Sequence, residues 1–102
     1  MTEAITVSTK RILDEKREEI KRIALEHGAF NVRLFGSVVR EQDRADSDID
    51  LLVDVGPNTS SWFPAGLILD LEALLGRKVD IVTERALNPH LREHVLDEAI
   101  EL

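Results

Sequence analysis

Residues 48 to 55 read DIDLLVDV, in which Ile49, Leu51, Val53 and Val55 alternate with Asp48, Asp50, Leu52 and Asp54. A period of two is that of a strand with one apolar face, and no other segment constrains the chain more tightly. Such a strand needs neighbours in a sheet and helices to cover its apolar side.

The rest of the chain supplies both. From Ser8 or Thr9 to His27, Ile12, Leu13, Ile20, Ile23 and Ala24 recur near helical spacing, and Gly28 follows as a stop. Phe30 to Phe35 reads as a first strand ending at Gly36, and VVREQ after Gly36-Ser37 is long enough for a turn or two of helix. GPNTSS is a loop. Leu67, Ile68, Leu71, Leu74 and Leu75 then form a helical stripe from about Pro64 to Leu75, closed by Gly76. Lys78 to Val82 is a third strand carrying Asp80, and Asn88-Pro89 caps a last helix whose face is Leu91, Val95, Leu96 and Ala99. The order αβ(short α)βαβα predicts an α/β (α+β) fold, a small sheet flanked by helices. If Gly36-Ser37 at the end of the first strand is to meet Asp48 and Asp50 at the start of the second, those strands run antiparallel and the sheet is mixed.

A chain of 102 residues holds one compact core, so a single domain over residues 1–102 is expected. Net charge of −7 disfavours contact with phosphate backbones, and nucleic acid is not an expected partner. No cysteine is present, no stretch approaches the ~20 apolar residues of a membrane span, and MTEAITVSTKR lacks the apolar run of a signal peptide. These features predict a cytoplasmic protein that does not engage a membrane.

Negative charge at the start of an apolar strand needs an explanation. Asp46, Asp48 and Asp50 occupy alternate positions, and Asp48 and Asp50 project from one strand face, where two ionised carboxylates repel. A divalent cation removes that cost. Hard oxygen ligands suit Mg²⁺, which takes one or two carboxylates and fills its other positions with water and substrate phosphates. Gly36 lets the backbone approach an anion closely, Ser37 adds a hydroxyl, and Arg40 one turn on can offer a planar fork to the same phosphates. Asp80 is a third carboxylate on a neighbouring strand, able to share a second metal or to act as general base on an acceptor hydroxyl. Each feature has an ordinary reading as a solvated loop, a surface arginine or a charge guarding a sheet edge. The ordinary readings must explain four features separately, whereas one site explains them together.

Gly36-Ser37, ten residues, Asp48-Ile49-Asp50 and a later strand aspartate form a pattern similar to that of the DNA polymerase β-like nucleotidyltransferase superfamily. The chain resembles in particular its minimal nucleotidyltransferases, or MNT domains. FGSVVREQDRADSDIDLLVDV, LEALLGRKVDIVTERAL and LNPHLREHVLDEAI extend the likeness over all but about the first eight residues. The resemblance implies that Gly36 and Ser37 hold the triphosphate of ATP, that Asp48 and Asp50 bind two Mg²⁺, and that Asp80 supports attack by the acceptor. Arg40 matches a position where the family commonly has arginine. Glu41 departs from the glycine found in many relatives and brings a negative charge towards the phosphate entry.

MNT domains are commonly encoded beside HEPN-domain proteins as type VII toxin–antitoxin pairs. The resemblance therefore implies an antitoxin and a hetero-oligomer: a protein adenylyltransferase that moves AMP from ATP to a tyrosine of a HEPN toxin. Two alternatives stand beside it, a silent MNT subunit that neutralises its partner by binding, and nucleotidyl transfer to a small molecule. Trp62 and Phe63 are expected either to dock a partner chain or to pack beneath their loop.

Overall fold

The computed structural model describes residues 9–40, 42, 47–57, 59 and 62–102. Asp46 and Glu41 lie outside them, as do three positions of the loop after residue 57.

The predicted first helix is divided into α1 (Thr9–Glu15) and α2 (Arg17–Glu26) at Lys16, whose φ and ψ are −103° and 12°. No proline or glycine stands there, and the hydrogen-bond ladder runs across the break, Lys16 N–H to Ile12 O and Ile20 N–H to Lys16 O. The division is a bend within one amphipathic stretch, and Leu13, Ile20 and Ala24 from both pieces reach the same core.

Strand β1 (Ala29–Phe35) begins one residue earlier than expected. It pairs antiparallel with β2 (Ile49–Val55), so the predicted strand direction holds. A bulge between Phe30 and Arg33 is made by Asn31 at φ +53°, a left-handed conformation that asparagine tolerates better than most residues. Helix α3 (Ala65–Leu75) is stopped by Gly76 in the left-handed region (φ +68°), whose N–H closes on Glu72 O. Strand β3 (Val79–Thr83) runs parallel to β2, and α4 (Pro89–Glu98) starts as expected, Asn88 Oδ1 accepting the His90 N–H at 2.8 Å.

Two features were not expected. The last helix does not include Ala99: the chain turns extended there and Ile100–Glu101 forms β4, antiparallel to β1, giving the sheet order β3-β2-β1-β4. A two-residue strand carries no periodicity, so only its partner strand reveals it. Leu52 also departs from the single apolar face read from β2. It sits on the aspartate side of the strand and is fully buried. Arg33, paired with Leu52 across the sheet, bonds Asp54 and Glu84 on that side, and Glu84 binds Arg92 of α4. This chain of ion pairs ties helix α4 to the second face. The first face is the dry one, where Ile49, Leu51 and Val53 pack with Leu13, Ile20, Ala24, Leu67 and Leu71.

Phe63 packs against that cluster, whereas Trp62 stands 77% exposed and does not pack beneath the loop. Among the described residues no helix is long and apolar enough to cross a membrane.

Candidate functional site

The sheet register builds one corner. Asp50 is the second residue of β2, opposite Phe35 at the end of β1 and opposite Asp80, the second residue of β3. Asp50 and Asp80 thus lie side by side across a parallel pair, and Asp48 is exposed just before β2 begins. The approach to the strand is anchored from the turn before β3. Arg77 donates to Ser47 O at 2.7 Å and to Thr9 Oγ1 at 2.9 Å, and the Ile49 N–H reaches Lys78 O at 2.8 Å.

Gly36 follows Phe35 with φ +83°, in the region that disfavours side chains. A Cβ at this position would overlap Asp50 Oδ2 and lie 3.1 Å from its Cγ, so the glycine backbone closes directly over the Asp50 carboxylate. Gly36–Val38 form a single 3₁₀ turn, the shorter of the lengths expected there, starting at Gly36 rather than at Val38. Ser37 lies partly buried within that turn and its carbonyl accepts the Gln42 N–H.

Arg40 stands at the same corner by a contact that was not anticipated. Its Nη1 donates to Glu98 Oε1 at 2.6 Å, its Nε to Gln42 Oε1 at 3.1 Å, and the Gly36 N–H donates to Glu98 Oε2 at 3.0 Å. Glu98, at the end of α4, is therefore a fourth carboxylate at the site. Nothing in the sequence marks it: it is one of two glutamates on a charged helix, 62 residues from the glycine it binds.

The electrostatics separate these carboxylates. The Asp50 carboxyl is pushed up to about 6, first by burial, then by the charges of Asp80 and Asp48, with Arg40 opposing and Glu98 adding to the rise. For Glu98, burial acts to raise the pKa but is outweighed by the Gly36 N–H bond, the Arg40 bond and charge, and His94, which leave it below its ordinary value.

Among the described residues no group of three or more histidine, cysteine, aspartate or glutamate side chains is gathered closely enough to cage a metal ion. Asp48 and Asp80 act on Asp50 through space without closing into such a cage. A set of this kind suits a hard cation that takes one or two carboxylates and draws its remaining ligands from water and substrate oxygens. A half-buried aspartate flanked by two others and short of positive charge is what such an ion relieves.

Residues 11–102 match the family model described as nucleotidyltransferase domain. The protein adenylyltransferase MntA of Thermococcus cleftensis is 36% identical over 91 residues, covering 81% of this chain and 92% of that one. A chain of Methanocaldococcus jannaschii, named provisionally as a protein adenylyltransferase, is 34% identical over 90 residues, 88% of this chain and 97% of its own. Among solved structures, one described provisionally as a minimal nucleotidyltransferase is 51% identical and superposes with a TM-score of 0.78 over 88% of this chain and 92% of that one. A chain of a toxin–antitoxin complex crystallised with AMP-PNP shares the fold at 22% identity, with a TM-score of 0.69 over 82% of this chain and 69% of that one.

Proposed function

The chain belongs to the nucleotidyltransferase-domain family, in its minimal form, and from that premise we propose that it transfers AMP from ATP to a tyrosine of a HEPN-domain toxin, acting as the antitoxin. The observation that carries this reading is the alignment of Asp50 with Asp80 beneath the Gly36 backbone. It puts carboxylates of two strands beside a close-approach glycine and an arginine, the combination a nucleotide triphosphate and its metal require. The names of the Thermococcus and Methanocaldococcus relatives support protein as the acceptor class. The toxin partner rests on the resemblance to MNT domains.

In this reading Gly36, Ser37 and Arg40 hold the triphosphate through the backbone N–H, the hydroxyl and the guanidinium. Asp48 and Asp50 would hold Mg²⁺, with Asp80 able to share a second ion, supplying positive charge against the triphosphate. The acceptor oxygen attacks the α-phosphorus of ATP, the bond to the oxygen bridging the β-phosphate breaks, and pyrophosphate leaves. Asp80, exposed beside Asp50, is positioned to take the acceptor's proton. A phenol, with a pKa near ~10, surrenders that proton more readily than an aliphatic hydroxyl.

The chain contains no tyrosine, so transfer to tyrosine must occur in trans. Labelled ATP with Mg²⁺ should leave the isolated chain unmarked and label the partner when it is added. Asp80→Asn should keep ATP binding while slowing transfer by roughly 10²- to 10⁴-fold, the range for a lost general base. Efficient self-labelling on serine, threonine or lysine would overturn the tyrosine reading.

A further inference from the structure

Glu98 is held by two groups at once. Its Oε2 takes the Gly36 N–H and its Oε1 takes Arg40 Nη1, at 3.0 and 2.6 Å, and its side chain is 11% exposed. These are two of the donors that the reading above assigns to phosphate oxygens. A guanidinium has N–H groups to spare, but a backbone amide has a single proton, and the one on Gly36 is already given to a carboxylate. Glu98 also adds negative charge beside Asp50, where Asp48 and Asp80 already repel it.

We propose that Glu98 is a built-in stand-in for phosphate: its carboxylate occupies the Gly36 amide and Arg40 until the nucleotide replaces it, so that this residue of α4 sets the affinity for ATP. The inference rests on the assignment of Gly36 and Arg40 to the nucleotide. Binding then includes a displacement, and Glu98 must swing towards solvent or towards its neighbour His94, which already acts on it electrostatically. A variant that cannot hold the two donors with a charged group leaves them open to the triphosphate.

The test is calorimetric binding of an α,β-methylene analogue of ATP, with Mg²⁺, to the parent chain and to Glu98→Gln, Glu98→Ala and Arg40→Ala. Nitrogen–proton correlation spectra of each check the fold and follow the Gly36 amide. Glu98→Gln keeps the side chain's shape and an oxygen for the amide, so it remains informative where alanine unfolds. Both Glu98 variants should bind roughly three- to thirty-fold more tightly than the parent, as expected for removing a charged hydrogen-bonding competitor. Arg40→Ala should bind more weakly, and in the parent the Gly36 amide resonance should move on saturation. Equal or weaker binding by both Glu98 variants, with Arg40→Ala still impaired, would leave the nucleotide site standing and overturn the displacement, making Glu98 a positioning residue. Parent-like binding by Arg40→Ala, with an unmoved Gly36 resonance, would remove the nucleotide assignment itself and the displacement with it.

Discussion

Asp50 and Asp54 lie on the same face of the same strand, four residues apart, and their surroundings are opposite in kind. Asp54 is fully partnered: Arg33 Nη2 donates to its Oδ1 and Asn31 Nδ2 to its Oδ2, both at 2.9 Å, and Arg33 continues to Glu84 and on to Arg92 of α4. Asp50 meets a glycine backbone, two further aspartates and an arginine whose contact goes to Glu98. At one end of the face positive and negative charge are matched within the chain, and the result is a clamp between sheet and α4. At the other end negative charge is in excess, and balance has to come from outside. Unmatched charge that a fold tolerates in a partly buried corner supports the proposed site.

Exchanging the acids tests this contrast most severely. Asp50→Asn should reduce nucleotidyl transfer by at least about 10³-fold, because the carboxylate proposed to hold the metal is lost, while the variant remains folded. Asp54→Ala should do the reverse. Transfer per folded molecule stays near the parent's, but stability falls by about 1–3 kcal/mol, since Arg33, with only 12% of its side chain exposed, loses its closest partner. Parallel measurement of transfer rates and urea midpoints decides between them. Parent-like transfer by Asp50→Asn would erase the distinction.

Gly36→Ala sharpens the comparison from the backbone side. The added Cβ must share space with the Asp50 carboxylate at a φ of +83°, and a cost of about 2–4 kcal/mol is expected from strain and overlap together. Coupling Gly36→Ala with Asp50→Gly removes the overlap but keeps the backbone strain. Part of the loss should then return, as a double-mutant cycle in denaturant would show.

The pH dependence of stability should carry the mark of Asp50. Its carboxyl is raised to about 6 from an ordinary 3.8, so the folded chain holds a proton that the unfolded chain releases. The stability linked to that proton is fully present below pH 3.8 and is lost as pH rises through about 6. Glu98 has the opposite sign: its pKa is lowered, so its contribution is present above its ordinary value and fades in acid. Between about pH 4.5 and 6 the Asp50 slope should therefore dominate, and Asp50→Asn should flatten it. Thermal melts across that interval, without metal, give the check.

Added Mg²⁺ is the mildest perturbation. At pH 8, an ion concentration ten times its dissociation constant should stabilise the parent by about 1.4 kcal/mol and Asp50→Asn by less. An equal gain in both would place the cation elsewhere.

Much of the architecture follows from local pattern. The alternation in β2, the leucine stripe of α3, Gly76 and the Asn88-Pro89 cap are each decided by neighbours in the chain, where sterics and periodicity act without help from distant residues. The same locality made Gly36, Ser37, Arg40, Asp48, Asp50 and Asp80 readable as candidates, because residues of unusual chemistry at strand ends stand out against apolar surroundings. The bend at Lys16, the β4 strand and the burial of Leu52 carry no such mark. A two-residue strand exists only through its partner, and whether the second face of β2 is wet depends on where α4 lies.

By itself, then, the sequence determined that this chain folds as helices around a small mixed sheet, with acids gathered where two strands begin, since hydrophobic period and glycine stereochemistry are properties of adjacent residues. Tertiary structure alone decided which of the chain's acids would be satisfied. Asp54 found Arg33 across a bulged strand pair, Asp50 found Asp80 through a parallel register, and Glu98 came 62 residues along the chain to take the Gly36 amide. Charge is felt through space and not along the chain, so a carboxylate's surroundings, and with them its role, are set only when the layers close.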